Sequence, residues 1–336
     1  MRNLATLCSI DLYTIAHYTW RMTQFLLFPG WISPEIIPGL PLRWYGLMYV
    51  IAFAIGYVFI RIQARKKEVA LDADQSLNLL LACIIGLVVG ARLFSVLFYD
   101  GSFYYWTHPW MIFWPFRGSQ FIGLPGMSYH GGLVGAVIGA YIFSRKNKMH
   151  FFELADTVVY AVPLGYTFGR LGNFINGELF GRVSTKPWAM VFPDAPHFST
   201  NYAWVRTLVD TLDIPYVAGT MVNLPRHPSQ LYEALFEGVV LFVIMWFVIR
   251  PKRKEQPYGF ALAAYLMLYG AIRFVIEYFR APDANLGYML AWGKESDNIH
   301  LFQSLFNISM GQLFCLAMIA AGLVLYLVLR KTDKRT

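Results

Sequence analysis

The sequence predicts an all-α polytopic membrane protein: seven transmembrane helices, amino terminus outside, carboxyl terminus cytoplasmic, and a small extracytoplasmic head domain. Three observations predict it. The first is composition: of 336 residues, 57% are hydrophobic and only 14% charged, with a mean hydropathy of +0.45, where a soluble domain carries about 25% charged residues. The second is the length of the apolar runs. A helix needs roughly 20 residues to cross the hydrocarbon, and such runs occur near Leu40 to Ile62, Leu77 to Tyr99, Gly131 to Ser144, Phe151 to Phe168, Ser229 to Ile249, Gly259 to Phe279 and Gly311 to Leu329. The third is the placement of charge. Basic clusters stand at Arg61, Arg65, Lys66 and Lys67, at Arg145, Lys146 and Lys148, at Arg250, Lys252, Arg253 and Lys254, and at Arg330, Lys331, Lys334 and Arg335. With seven spans all four lie on one side, which the positive-inside rule makes the cytoplasm. The net charge of +8 therefore reports orientation, and no nucleic-acid partner is expected.

In chain order, residues 1–39 form an amino-terminal extracytoplasmic segment and residues 40–330 the membrane domain. Residues 183–226 are inserted as the head, and 331–336 are a cytoplasmic tail. Before the first span, short apolar pieces are broken by Asp11, His17 and Arg21 with no small-residue cleavage site, which suits neither a signal peptide nor a span. Met22 opens a Met-Thr-Gln-Phe-Leu-Leu-Phe-Pro run that could itself be the start, making 1–21 an extension. The first span opens with Leu42-Arg43-Trp44-Tyr45-Gly46, where Tyr45 fits an interfacial aromatic belt or the wall of a site. The second carries Arg92, which must snorkel, pair or face a polar cavity; Asp100 is the nearest carboxylate in sequence.

Residues 101–127 hold Trp106, Trp110, Trp114, Phe116 and Phe121, a pattern of a segment lying at headgroup level. The third span has Gly131, Gly135 and Gly139 four apart, which lets another helix pack closely. His130 stands at its outer start. It reads as a cap or interfacial histidine, or as a general base, since the positive end of a helix dipole disfavours imidazolium and keeps the ring able to accept a proton.

The fourth span passes into Gly169 to Arg182, which reads G-R-L-G-N-F-I-N-G-E-L-F-G-R. A charged residue at the bilayer centre costs roughly 2.5 to 3.5 kcal/mol on insertion scales, so Arg170, Asn173, Asn176, Glu178 and Arg182 at a membrane rim need a use. Gly169, Gly172, Gly177 and Gly181 disfavour a plain helix and let backbone approach a ligand. The head, rich in proline, ends in His227-Pro228-Ser229-Gln230-Leu231-Tyr232-Glu233-Ala234. There Pro228 suits a first helical turn, and Gln230 and Glu233 read equally as caps or pocket lining. In the sixth span Tyr269, Arg273, Glu277 and Arg280 fall on one helical face, a polar stripe that must face the bundle interior. Arg92, Arg170, Arg273 and Arg280 outnumber Glu178 and Glu277, a surplus that implies an anionic ligand.

Arginine presents a planar fork of donors that matches phosphate oxygens, and a phosphate in a membrane site is most simply a phospholipid headgroup. No Ser-x-Gly elbow, paired-Asp metal site or P-loop is present in the sequence. Cys8, Cys83 and Cys315 are scattered without metal spacing, so neither a cysteine nucleophile nor a metal is expected.

These motifs resemble the bacterial prolipoprotein diacylglyceryl transferases. The likeness rests on G-R-L-G-N-F-I-N-G-E-L-F-G-R, R-W-Y-G-L-M-Y from Arg43, Y-H-G-G at Tyr129, H-P-S-Q-L-Y-E-A from His227 and Y-G-x-x-R-F-x-x-E-x-x-R from Tyr269, all in order. It runs from about Met22 to the end. It implies transfer of the diacylglyceryl group of phosphatidylglycerol to the lipobox cysteine thiol of a preprolipoprotein signal peptide. A thioether forms and glycerol 1-phosphate leaves, the first step of lipoprotein maturation, at the bacterial inner membrane with the active site toward the outer leaflet. Expected partners are phosphatidylglycerol, lipobox signal peptides and membrane lipids, with no cofactor. The resemblance puts Arg170 and Arg273 on the phosphate. His130 is the candidate for thiol deprotonation; Tyr45, Asn173 and Glu178 orient the headgroup or the arginines, Gly181 gives backbone room, and Tyr269, Glu277 and Arg280 support the site. The rival reading is an anionic-phospholipid transporter using the same arginines; against it, the sequence shows no paired, broken helices.

Overall fold

The computed structural model describes residues 25–37, 39, 42–100, 104–121, 123–124, 126–281, 287–292, 298–302 and 304–332. The possible extension 1–21, the beginning of the first span at Leu40 and most of the tail lie outside the described residues. The protein is mostly helical. Helix α1 spans Trp44–Arg65 and α2 Ala73–Phe98. A capping box starts α2: Asp72 Oδ1 accepts from Gln75 N–H at 2.7 Å and Gln75 Oε1 from Asp72 N–H at 3.1 Å, satisfying two donors that the helix itself cannot. Helix α3 is Tyr129–Lys146, with Ser128 Oγ accepting the Gly131 N–H, so it begins just before His130. Next come α4 (Phe151–Val159), α5 (Val162–Ile175), α6 (Ala203–Thr211), α7 (Ser229–Glu255), α8 (Phe260–Ile276) and α9 (Met310–Thr332).

Four of these, α1, α2, α7 and α9, are each long and apolar enough to cross a membrane, and α8 is a shorter apolar helix. Three expectations need correction. The fourth span is broken: Tyr160 and Ala161 leave the helix, and α5 restarts with Pro163 in its first turn, where a missing N–H costs nothing. The glycine-threaded stretch is also more helical than expected, since α5 runs through Gly169 and Gly172. It stops at Gly177, whose φ is 66°. Gly177 N–H bonds to Phe174 O and Glu178 N–H to Asn173 O, the paired closing bonds of a Schellman motif. At the start of α7, Pro228 is the N-cap rather than a first-turn residue.

The contacts divide the chain into two units, residues 1–50, 166–241 and 267–320, and residues 51–165, 242–266 and 321–336. In the second unit α2 meets α3 through glycine: a Cβ on Gly135 would strike the Gly86 carbonyl and one on Gly139 the Ala82 carbonyl, as the small-residue spacing predicts. Arg92, 3% exposed, donates to Ile112 O (2.5 Å), Gly126 O (3.2 Å) and Tyr105 Oη (2.9 Å), tying the aromatic segment to α2. Trp106, Trp110 and Trp114 of that segment are exposed.

In the first unit the head is not helical throughout, which corrects the all-α expectation. Short strands β1 (Leu26–Leu27) and β4 (Met190–Val191) pair in parallel, and β5 (Phe198–Ser199) pairs antiparallel with β6 (Met221–Val222). Between β1 and β4 in the chain, β2 (Phe116–Arg117) and β3 (Gln120–Phe121) form a hairpin of the second unit, while β7 (Tyr288–Leu290) pairs with β8 (Ile308–Ser309). Helix α6 buries Val205 and Val209 against Val183, Phe198, Val222 and Leu224. Residues 26–28, Tyr288, His300 and Leu301 thus pack with 182–226.

Candidate active site

The site is built where α5, α7 and α8 approach within the first unit. Gly238 lets α7 close on α5, for a Cβ there would overlap the Thr167 side chain. Beside that contact, Tyr166 on α5 meets Glu237 and Glu233 on α7: its hydroxyl donates to Glu237 Oε2 at 2.8 Å and lies 3.2 Å from Glu233 Oε2. Arg170, one turn on, donates from Nε to Tyr166 Oη at 2.7 Å and stands 2.8 Å from Glu233 Oε2. From α8, Arg273 Nη1 reaches Glu233 Oε2 (3.0 Å) and Glu237 Oε1 (3.2 Å), and Nη2 reaches Glu277 Oε2 (2.9 Å). Arg280 Nη1 is 3.8 Å from Glu233 Oε2. Three guanidinium groups therefore converge on one carboxylate oxygen whose side chain is 0% exposed.

The other expected residues are positioned from the same elements. Asn173 accepts from Arg170 Nη1 at 3.3 Å and donates to Glu178 Oε1 at 3.0 Å, where Asn176 also donates. The start of α7 holds that turn, with Gln230 donating to Glu178 O at 2.6 Å and Ser229 to Leu179 O at 3.2 Å. Tyr45 packs on α5 at Gly172 and its hydroxyl is 3.1 Å from that of Tyr49. Tyr269 sets its ring edge-on to Tyr166. Glu277 also accepts from Ser309 Oγ, and Gly311 clears the space its carboxylate fills.

Three expectations change. The polar stripe does not stay on one helix: α8 ends at Ile276, the Glu277 N–H still closes on Arg273 O, but Arg280 lies beyond in a backbone bridge with Gly181. The room left by Gly181 is filled by protein, because a Cβ there would strike Phe279 O and His227. The surplus of positive charge is also overturned. Glu233, Glu237 and Glu277 match Arg170, Arg273 and Arg280 one for one, and Arg92 serves the other unit's loop. Tyr166, Glu233 and Glu237 are the members that motif reading undervalued or missed. The signal was present, for Tyr166 is four residues from Arg170 and Glu237 four from Glu233, the spacing that brings side chains together on a helix.

His130 belongs to the second unit, where it is exposed beside Tyr129 at the start of α3. Outside the membrane segments, Arg182 is 2% exposed and donates to Arg280 O (2.6 Å), Leu301 O (3.2 Å) and the Tyr288 hydroxyl. Arg226 lies between the faces of Phe180 and Phe198, and burial pulls its guanidinium down to about 10. Burial, with the charges of Lys186 and Arg182, lowers His227 to about 4.

The family model described as prolipoprotein diacylglyceryl transferase matches residues 33–328. The chain belongs to the prolipoprotein diacylglyceryl transferase family. Proteins named phosphatidylglycerol–prolipoprotein diacylglyceryl transferase are similar to it across nearly the whole length. That of Treponema denticola is 44% identical, covering 94% of this chain and 97% of its own. That of Treponema pallidum is 44% identical over 89% and 93%, and that of Chlorobaculum tepidum 39% identical over 88% and 89%. The chain is accordingly a diacylglyceryl transferase of lipoprotein biosynthesis and a membrane enzyme, consistent with the four helices among the described residues that are able to span.

Proposed function

We propose that the chain transfers the diacylglyceryl group of phosphatidylglycerol to the lipobox cysteine thiol of a preprolipoprotein signal peptide, with Arg170 and Arg273 holding the phosphate. The convergence of Arg170, Arg273 and Arg280 on a single anionic oxygen carries the reading. The sulfur attacks the diacylglyceryl carbon bonded to the phosphate oxygen. The C–O bond breaks, and glycerol 1-phosphate leaves with growing negative charge. Preorganised donors aimed at such charge contribute about 2.7 to 4 kcal/mol each when removed singly. His130 takes the thiol proton directly or through water. Asn173 and Glu178 orient Arg170 and the headgroup, Tyr45 and Tyr269 line the site, Glu277 and Arg280 support it, and Gly181 joins the backbone on which Arg280 stands.

The enzyme sits in the bacterial inner membrane as a seven-span protein, amino terminus outside and carboxyl terminus cytoplasmic, with its head and site toward the outer leaflet. Beside the arginines, the break at Tyr160 and Ala161 is a feature a lipid transporter would share. Purified protein given phosphatidylglycerol and a lipobox peptide decides between them: the transferase yields a thioether and free glycerol phosphate, a transporter neither. His130→Gln retaining near-normal turnover in folded protein would remove the histidine from the reaction.

A further inference from the structure

Arg170 and Arg273 stand on different helices, and two flexible side chains meet one phosphate only if their freedom is removed beforehand. What joins them is a hydroxyl and two carboxylates for which the transfer chemistry itself has no use. Tyr166 Oη receives Arg170 Nε at 2.7 Å and donates to Glu237 Oε2 at 2.8 Å. Glu237 and Glu233 both hold Arg273 Nη1, at 3.2 and 3.0 Å. Both carboxylates are 0% exposed, and burying such ions is costly unless their geometry is used. A helix that only had to fill space would carry apolar residues at 233 and 237. The bonds engage Arg170 Nε and Arg273 Nη1, while Arg170 Nη2 and Arg273 Nε make no hydrogen bond among the described residues. One nitrogen of each guanidinium is thus left without a hydrogen bond among the described residues while the rest of the fork is fixed.

We propose that Tyr166, Glu237 and Glu233 are positioning residues that lock Arg170 and Arg273 into one preorganised pair. The inference rests on the phosphate roles proposed for those two arginines. The lock works through geometry, for a displacement of about 1 Å from productive alignment costs on the order of 100-fold in rate.

Tyr166→Phe is the sharpest test because it deletes one oxygen and keeps the ring, its face against Arg170 (4.8 Å) and its T-shaped contact with Tyr269. In purified protein with phosphatidylglycerol and a lipobox peptide, kcat falls at least about tenfold while KM for the lipid stays within about threefold, as expected when an interaction acts only in the transition state. Glu237→Gln, which can still accept from Tyr166 but no longer balances Arg273, falls at least as far, and Glu237→Asp recovers part of the loss. A merely structural role would move the melting temperature and leave kcat per folded molecule alone. Folded Tyr166→Phe and Glu237→Gln proteins with kcat within about twofold of the parent, or with the whole loss in KM, would overturn the proposal. A parent protein that releases no glycerol phosphate sinks the transferase reading instead, so the two failures are distinguishable.

Discussion

Glu233 Oε2 is the oxygen around which the site is arranged, within 2.8 Å of Arg170, 3.0 Å of Arg273 and 3.8 Å of Arg280. Removing one partner of a buried ion network leaves charge uncompensated, at about 3 to 5 kcal/mol. Glu233→Ala should therefore lower the thermal unfolding midpoint sharply, while Glu233→Gln, which keeps the shape, loses less. His227 gives the pH dependence. Its folded value of about 4 lies below the ordinary 6.5, so the unfolded chain takes up the proton first as pH falls. Stability is then full above the unfolded value, declines between the two, and levels off below the lower; His300, also lowered by burial, acts in the same direction. Unfolding midpoints followed across that window should fall less in His227→Gln than in the parent. At this scale the sequence makes the Arg273 and Glu277 pair legible, because an i, i+4 pair on an apolar helix has few other partners. The closure of Glu233 and Glu237 on arginines of two other helices is a tertiary fact, and counting only the motif charges produces a false surplus.

Helices α2 and α3 show how local pattern and packing agree. The four-residue glycine spacing foretells a close helix neighbour, and the structure supplies it as α2, at Gly86 and Gly90. Gly135→Val should abolish recovery of folded protein, since the obstructing atoms are backbone and cannot move aside. Gly46→Ala, with nothing within 4 Å, should leave the melting temperature unchanged or raise it, as alanine favours helix by about 0.8 to 1 kcal/mol over glycine. Asp156 accepts the Gly259 and Leu262 N–H groups at 2.8 and 2.9 Å, capping the start of α8 from another helix. Asp156→Ala should cost about 1 to 3 kcal/mol in denaturant or thermal unfolding. The break before α5 had a signal in Pro163, but hydropathy runs smoothly through it, and hydropathy is what defines a span in sequence.

For the whole molecule, composition and charge placement suffice to read a helical membrane protein. The head was only partly legible. Its strands of two or three residues are too short to show a period, so the contributions of 26–28, Tyr288, His300 and Leu301 left no pattern to find. The proposed seven-span orientation predicts that, in a chain with its native cysteines replaced, a cysteine at exposed Val217 reacts with a membrane-impermeant thiol reagent in intact spheroplasts, while one at Lys67 reacts only after lysis. The central claim is that Arg170 and Arg273 hold the phosphate as it leaves. Single-turnover release of labelled glycerol phosphate tests it most directly, in folded Arg170→Ala and Arg273→Ala proteins that still bind phosphatidylglycerol. The account predicts a loss of about 100-fold or more in each; release within about threefold of the parent in either variant would contradict it.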